Sequence, residues 1–496
     1  MPSNKVRVRF APSPTGYLHA GGARTALFNY LFARHHGGSF ILRIEDTDRT
    51  RYTEEALRDF MDSLRWLGIL WDEGPEVGGD YGPYFQSERL HLYKHYAEEL
   101  IQKGAAYRCY CSQTRLEAMR EEQTAHKQPP GYDRHCRNLT AKQTADYEAQ
   151  GIVPVVRLMA PLEGQTGFYD LIRGEITVDN RTLDDLILLK SDGFPTYHLG
   201  VVVDDHLMEI SHIMRADEWI PSTPRHQLIY HALGWTPPIY AHLPVILDPS
   251  GKGKMSKRKK RAPDGREFPV LMREFRAAGY LPEAMFNFLA LIGWAYDDKT
   301  DILSPEQIIA RFDLGSISAS PAAFTYDKLD WMNGVYIRNM PAPQLAVRIQ
   351  PVLAQAGYDA DLATVTAIVP LIRERIKTLN DVVPMTDFFF SDPQGYDPRL
   401  LLGKKMSADT ALAVLVRAGE VLEASDFTEE ALDGALRAGA ASLGLKAGDF
   451  FAPIRAAVTG KAVSPPLFGS LVILGRNRVL KRLEAAIRML SNSSNS

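Results

Sequence analysis

An α/β domain on a doubly wound parallel sheet, followed by a helical C-terminal half, is the fold class predicted by this 496-residue sequence. Two observations carry that expectation. Val6 to Arg49 packs a strand, a glycine-containing turn, a helix and a second strand into one run, which is half of a nucleotide-binding unit. Beyond about residue 340 the composition turns Ala- and Leu-rich, and segments such as TEEAL and LGRNRVLKRLEAAI read as capped amphipathic helices.

Val6, Val8 and Phe10 alternate with Arg7 and Arg9, the period of a strand with one apolar face, and Pro12 ends it. Pro12, Pro14, Gly16 and the pair Gly21-Gly22 then form a turn whose backbone can approach a ligand closely. Ala23, Ala26, Leu27, Tyr30 and Leu31 recur at helical spacing, Arg34 occupies the last turn, and Gly37-Gly38 stop the helix. The helix N-terminus faces the turn, so free N–H groups and the positive dipole end suit a phosphate, with His19 as an extra donor. From Phe40 the run FILRI alternates again and releases Glu45, Asp46 and Asp48 at the strand's carboxyl end, where open α/β sheets bind ligands.

Thr53 begins a helix through Leu57, Phe60, Met61 and Leu64, and another follows Ser87 through Leu90, Tyr93, Tyr96 and Leu100. Asp204-Asp205 follows the apolar run VVV and is expected to end a further buried strand, holding a loop, a Mg²⁺-linked water or a structural contact. Thr223 is expected to N-cap a helix that Gly234 stops. GYLPEAMFNFLALIGW opens a helical connecting stretch, and the SNSSNS tail is expected to be disordered.

Hydrophobic residues at 45% and charged ones at 24% describe an ordinary globular protein, and a formal net charge of −3 means that any RNA contact must come from local basic stripes. The N-terminus lacks an apolar signal core, and Met285 to Trp294 is too short to span a bilayer, so a cytoplasmic protein without membrane contact is expected. The 3 Cys cannot all pair and all lie between residues 109 and 136, which argues for metal or free thiols. GKGKMSKRKKR, Gly251 to Arg261, crowds seven cations into a glycine-containing loop that attracts phosphate; a solvated face or an RNA patch is the blander reading.

PSPTGYLHAGG, ARTAL and RIEDTDR resemble the HIGH-motif region of class I aminoacyl-tRNA synthetases, in detail that of the bacterial glutamyl-tRNA synthetases. His19, Ala20 and Gly21 hold the first three places, and Gly22 replaces the second His. Lys254-Met255-Ser256-Lys257-Arg258 resembles the KMSKS signature that closes over ATP in this class. The resemblance implies a catalytic group of His19, Gly21, Lys254 and Lys257, and an ATP site of Pro12, Gly16, His19, Gly21, Gly22, Lys254, Ser256 and Lys257. Positioned positive charge and helix-end amides should then carry most of the catalysis, with Mg²⁺ on the nucleotide and no general base.

L-glutamate, with two carboxylates and one ammonium, needs cations at two points and an anion at a third. The resemblance assigns Arg9 and Arg215 to carboxylates and Glu45 to the ammonium, with Ser13 and Tyr197 lining the pocket; Val201 stands where some members place Asn. Cys109, Cys111 and Cys136 resemble the zinc knob of some members, whose fourth ligand, a His, is Asn138 here. Tyr132 and His135 are the alternatives for that fourth place, and small buried thiols without Zn²⁺ are the alternative to the whole site.

The domain plan implied is a Rossmann-type catalytic domain in two halves, 1–107 and 191–260, around an acceptor-binding insertion at 108–190. A connecting, stem-contacting domain at 261–338, with Asp327, Lys328 and Asp330, leads to an all-α anticodon-binding region at 339–490 and the tail at 491–496. The implied activity is ATP-dependent formation of glutamyl-adenylate and transfer of the glutamyl group to tRNA(Glu), by a monomer by analogy, with tRNA needed before glutamate is activated. A relaxed form that also charges tRNA(Gln) is the nearer alternative; in the family an Arg in the anticodon-binding half often marks the strict form, and Arg373 or Arg375 is the candidate for it. Arg476, Arg478 and Lys481 are further candidates for phosphate or base contacts. A non-catalytic tRNA-binding paralogue is the remote alternative, disfavoured because it has no use for two ATP loops.

Overall fold

The computed structural model describes residues 5–255, 267–403 and 406–493. Ser256 and Lys257, both expected at the nucleotide, lie outside the described residues. The chain divides into two units, Met1–Arg276 with Pro282–Tyr326, and Ala277–Leu281 with Asp327–Ser496.

In the first unit, β1 (Arg7–Phe10) and β2 (Ser39–Leu42) pair in parallel across α1 (Ala20–His35), which makes the expected strand, helix and strand unit. Both strands are buried on both faces, which corrects the expectation of one apolar face. Parallel strands are covered on both sides, and the alternating arginines satisfy this by carrying carboxylate partners. Arg7 pairs with Glu73 at 2.6 Å and Arg9 with Asp205 at 3.0 Å.

The next elements are α2 (Glu54–Trp66), capped by the Thr53 hydroxyl, α3 (Leu90–Gln102), β3 (Ala106–Cys109), α4 (Gln113–Ala125) and α5 (Ala141–Ala149). They are followed by β4 (Val155–Leu158), β5 (Gln165–Asp170), β6 (Gly174–Asp179), β7 (Ile187–Leu189) and α6 (Tyr197–Leu207). Then come β8 (His212–Ala216), α7 (Thr223–Leu233), β9 (Ile239–Leu243) and β10 (Ile246–Leu247). β8 and β9 are parallel, and β9 also pairs with β5, which forms an antiparallel hairpin with β6. Ser211 links β8 to β1, donating its backbone N–H to the Arg7 carbonyl at 2.9 Å. β3, β4 and β7 form a separate antiparallel sheet.

Two boundaries therefore differ from the sequence expectation. The β5–β6 hairpin, inside the stretch expected as an insertion, shares a sheet with β8 and β9. Residues 282–326 group with the first unit, because α9 (Pro282–Ala290), which follows α8 (Met272–Ala277), buries nearly every side chain and packs on α1, with Phe286 edge-on to Tyr30.

Asp204 and Asp205 sit on α6, not at the end of a strand. A short apolar run reads alike for a buried strand and a buried helix, and Leu199, Val201, Val202 and Val203 all enter one core with Tyr93, Leu100, Ile229 and Tyr230. Ser222, not Thr223, precedes α7 as its N-cap; the Thr223 hydroxyl is instead turned to Arg215 at 2.8 Å.

The second unit is helical. After α10 (Pro305–Arg311) and β11 (Ala322–Ala323) of the first unit come α11 (Tyr326–Asn339), α12 (Ala342–Gln355), α13 (Leu362–Ile372) and α14 (Val382–Phe390). α15 (Ala408–Ala424), α16 (Glu429–Ser442), α17 (Ala447–Thr459), α18 (Leu467–Leu474) and α19 (Arg476–Ser493) complete it. α19 carries residues 491–493 of the tail that was expected to be disordered, since an amphipathic helix already packed on α15 and α17 extends at little further cost; residues 494–496 lie outside the described residues. Among the described residues no helix is long and apolar enough to cross a membrane.

Candidate active site

A cavity of about 820 Å³ opens at the carboxyl ends of β1 and β8 and the N-terminus of α1, within the range of ligand pockets. Nine of the expected residues line it: Arg9, Ser13, His19, Gly21, Gly22, Glu45, Tyr197, Arg215 and Lys254. Pro12 and Gly16 do not; Pro12 instead accepts the Glu45 N–H at 3.0 Å, which extends the β1–β2 pairing to the pocket rim.

His19 N-caps α1, and its Nδ1 accepts the Gly22 N–H at 3.2 Å. In a neutral ring that leaves the proton on Nε2, so the donor role expected of His19 belongs to that nitrogen. The two glycines are required by crowding: a Cβ on Gly21 would lie 3.1 Å from His19 Cε1, and one on Gly22 would lie 3.0 Å from Leu18 Cδ1. Leu18 thus fills the space beside the position where the second motif His would stand.

The described ends of the basic loop are fixed beside this turn. Met255 N–H donates to Ile246 at 2.9 Å, and beyond the loop Val270 accepts the Ala20 N–H at 3.2 Å. Lys254 lines the cavity and pairs with Glu218 at 2.5 Å, both about half exposed.

The opposite wall is a buried charge lattice. Arg9 grips Asp205 with Nε at 3.0 Å and Nη2 at 3.2 Å. Arg43, fully buried, reaches Asp205 at 2.7 Å and Glu45 at 3.1 Å, and Asp204 takes Arg89, Gln86 and Tyr93. These bonds answer the question left open for Asp204-Asp205: the pair is structural. Burial pushes the Glu45 carboxyl above its usual range, against the pull of Arg43 and Arg9. Burial also opposes the Asp205 charge, but Arg43 and Arg9 hold that carboxyl below its usual range.

Arg215 is buried at the end of β8 and donates to Tyr197 Oη at 2.7 Å, while the Trp219 ring lies 4.4 Å from that of Tyr197. Val201 is packed in the apolar core and does not line the cavity.

Sequence reasoning missed three contributors. Arg24, in the first turns of α1, is buried in the cavity wall, donates to the Pro244 carbonyl and has no partner for Nε; burial pushes it down to about 10. Its place in ARTAL was the available signal. His242 and Asp170 carry no local motif and meet only through the sheet.

Away from the cavity, the sulfurs of Cys109, Cys111 and Cys136 lie within 4.8 Å of one another, and Tyr132 Oη lies 3.3 Å from two of them. His135 is exposed and outside that group. Hydrogen bonds from Cys111 and Cys136 draw the Cys109 thiol well below its usual range. In the helical unit Arg375 is tied to the Ser464 carbonyl at 2.8 Å, whereas Arg373 among the described residues pairs with Glu374 at 3.8 Å. Arg478 and Lys481 share Asp392, and Arg476 caps the Ser425 carbonyl at 2.5 Å.

Comparison with known proteins adds a second line of evidence. Residues 5–331 match the family described as tRNA synthetases class I (E and Q), catalytic domain, and residues 344–487 match an anticodon binding domain. A glutamate–tRNA ligase of Dehalococcoides mccartyi strain CBDB1 is 52% identical over 99% of this chain and 98% of its own length. One from Roseiflexus sp. strain RS-1 is 48% identical over 97% and 96%. The crystal structure of a glutamate tRNA ligase from Elizabethkingia meningosepticum in complex with its amino acid superposes with a TM-score of 0.89 at 35% identity, over 98% of this chain and 100% of that one.

Proposed function

The chain belongs to the glutamate–tRNA ligases of the class I aminoacyl-tRNA synthetases, and from that premise we propose how its own residues divide the work. The reaction activates L-glutamate with ATP and Mg²⁺ to glutamyl-adenylate and passes the glutamyl group to tRNA, releasing AMP and diphosphate. Both carboxylate and phosphate chemistry take place in one cavity, and the observation that carries the assignment is that this cavity unites the buried arginine wall with the α1 N-terminus and Lys254.

Arg215, Arg9 and Tyr197 hold the glutamate carboxylates. Arg9 keeps one guanidinium edge on Asp205 and offers the other nitrogen, Nη1, while Arg215 brings a charge that no carboxylate within ion-pair distance neutralises among the described residues. Glu45 takes the ammonium, whose charge offsets the burial that raises this carboxyl. With glutamate so oriented, its α-carboxylate attacks the α-phosphate of ATP. His19 Nε2–H and the α1 amides receive the phosphates from one side and Lys254 from the other; Lys257 is assigned to the phosphates by its motif alone. Arg24, buried with no carboxylate within ion-pair distance among the described residues, is a further cation for the phosphates.

Zn²⁺ fits Cys109, Cys111 and Cys136, with Tyr132 in the fourth place: three sulfurs close enough to share one ion and a phenol oxygen 3.3 Å from two of them suit a thiophilic metal. The ion would hold the loop that bears these residues. For tRNA choice we assign the discriminating role to Arg373, supported by its freedom from the backbone bond that occupies Arg375.

Charging of purified tRNA(Glu) and tRNA(Gln) with labelled glutamate tests this reading. Charging of tRNA(Glu) alone, relaxed to both by Arg373→Ala, is the expected result. Charging of both by the unaltered protein overturns the strict form, and charging of neither overturns the site assignments. Metal analysis of the purified protein should give about one zinc per chain, lost in Cys136→Ser.

A further inference from the structure

Beneath the glutamate wall lies a polar pair that the two-step reaction does not itself call on. Asp170 ends β5 and His242 lies on β9, and neither side chain is exposed. Asp170 Oδ1 accepts the N–H groups of Ile172 and Arg173, both at 2.9 Å. Its Oδ2 accepts the His242 N–H at 2.9 Å and stands 2.7 Å from His242 Nδ1. An ionised carboxylate is acceptor-only, so the shared proton belongs to Nδ1 and the neutral ring turns its Nε2 lone pair outward. Arg215 Nε–H donates to that lone pair at 3.1 Å. The rest of the guanidinium is then spread between Thr223 Oγ1 at 2.8 Å and Tyr197 Oη at 2.7 Å, with longer contacts to the Trp219 carbonyl at 3.4 Å and His226 Nδ1 at 3.5 Å.

We propose that Asp170 and His242 are positioning residues for glutamate recognition: Asp170 sets the ring tautomer, and the ring holds Arg215 in register without cancelling its charge. This rests on Arg215 being a glutamate-carboxylate receptor. The contrast with Arg9 supports it. Arg9 is held by the carboxylate of Asp205, which orients the side chain but also neutralises it. A neutral imidazole orients Arg215 equally well and leaves the full positive charge for an incoming carboxylate. Protonation would remove the acceptor and set an N–H against the guanidinium. The charged or titratable groups around the ring are Asp170, Arg215, Asp217 and His226, together with the phenol of Tyr240, whose ring stacks on that of His242 at 5.9 Å. Burial, Arg215 and His226 oppose an imidazolium, and Asp170 and Asp217 favour one; the balance lies below the ordinary value.

The test is steady-state charging of tRNA(Glu) with KM resolved for each substrate. His242→Leu should raise the KM for glutamate by about 10-fold or more, with kcat and the KM values for ATP and tRNA within about 3-fold. His242→Gln, whose amide oxygen can still accept from Arg215, should restore much of the loss. Asp170→Asn, which lets the ring take the opposite tautomer, should resemble His242→Leu. The KM for glutamate of the unaltered enzyme should climb as pH falls, and that of His242→Gln should stay flatter.

A glutamate KM changed less than about 2-fold in both His242→Leu and Asp170→Asn overturns the proposal, as does an equal rise in all three KM values. Arg215→Ala separates the two levels of the argument. If it leaves the glutamate KM unchanged, the assignment of Arg215 fails; if it raises that KM while the His242 and Asp170 variants do not, only the positioning role fails.

Discussion

The two walls of the cavity are built on opposite principles. On one side Arg9, Arg43 and Glu45 are locked into a lattice with Asp204 and Asp205, all buried, Arg9 and Arg43 held by Asp205 of α6 and Glu45 held by Arg43. On the other, Lys254 meets Glu218 in an ion pair that is half exposed on both sides. Removing one member of a buried pair leaves an uncompensated charge and costs about 3–5 kcal/mol, while an exposed pair contributes about 0–1 kcal/mol. The amino-acid wall is therefore organised before substrate arrives, and the nucleotide wall can exchange Glu218 for phosphate at little cost. Under the proposed assignment of substrates, selectivity falls to the rigid side, and charge that must follow a changing phosphate falls to the yielding side.

The largest effect should come from breaking the lattice. Asp205→Ala strands Arg9 and Arg43 and should lower stability by about 3–5 kcal/mol in urea unfolding; an unchanged midpoint would show that the lattice is not what holds this wall. Lys254→Ala should do the reverse, slowing glutamate activation about 100-fold while the midpoint stays put. If it destabilised the protein as Asp205→Ala does, the contrast between the walls would collapse.

A pH series sharpens the comparison next. Burial pushes His198 down to about 4, with Arg225 and Arg215 adding to it, and pushes His226 well below its usual range. Both rings are neutral in the fold, so with depressed folded values they contribute stability above the ordinary His range near about 6.5 that is lost as pH falls toward their folded values. The unfolding midpoint should drop between pH 7.5 and 5, and His198→Gln should lessen the drop. A midpoint flat over that range would count against neutral, buried rings. The smallest effect belongs to Glu218→Gln, which should change the KM for ATP by no more than about 5-fold and leave stability alone; a change like that of Lys254→Ala would make the exposed pair a fixed part of the site.

Most of the site could be read from the sequence because its members sit at fixed spacings inside short runs. His19, Gly21, Gly22, Glu45 and Lys254 each belong to a contiguous motif, and all five line the cavity. What escaped is what only folding brings together. Arg9 and Asp205 are 196 residues apart and Asp170 and His242 are 72 apart, with nothing in either neighbourhood to announce the other. The misreading of VVV as a strand has a related cause. A helix buried on all sides has no polar face, so its period leaves no trace, and the aspartates that follow read as a strand end when they are the ion-pairing turn of α6. The arginines of β1 misled in the opposite sense, since alternation implied an exposed face where the fold supplies buried carboxylates. In the helical unit the cap at Thr428, in TEEAL, was a plain signal of a helix start, but whether an arginine faces solvent or a carbonyl, as with Arg373 and Arg375, depends on tertiary neighbours that composition does not encode.

The β5–β6 hairpin bears on how such ligases can be recombined. Because Asp170 lies on β5 and β5 shares a sheet with β9, the stretch 108–190 is not an interchangeable cassette clipped onto a finished catalytic body. A chimera that transplants the whole stretch from another ligase imports a foreign support for His242 together with the surface that the sequence assigns, by resemblance, to the tRNA acceptor end. One whose junction falls before Gln165 exchanges β3, α4, α5 and β4 while keeping the native hairpin, and so separates the inheritance of tRNA contacts from that of amino-acid selectivity.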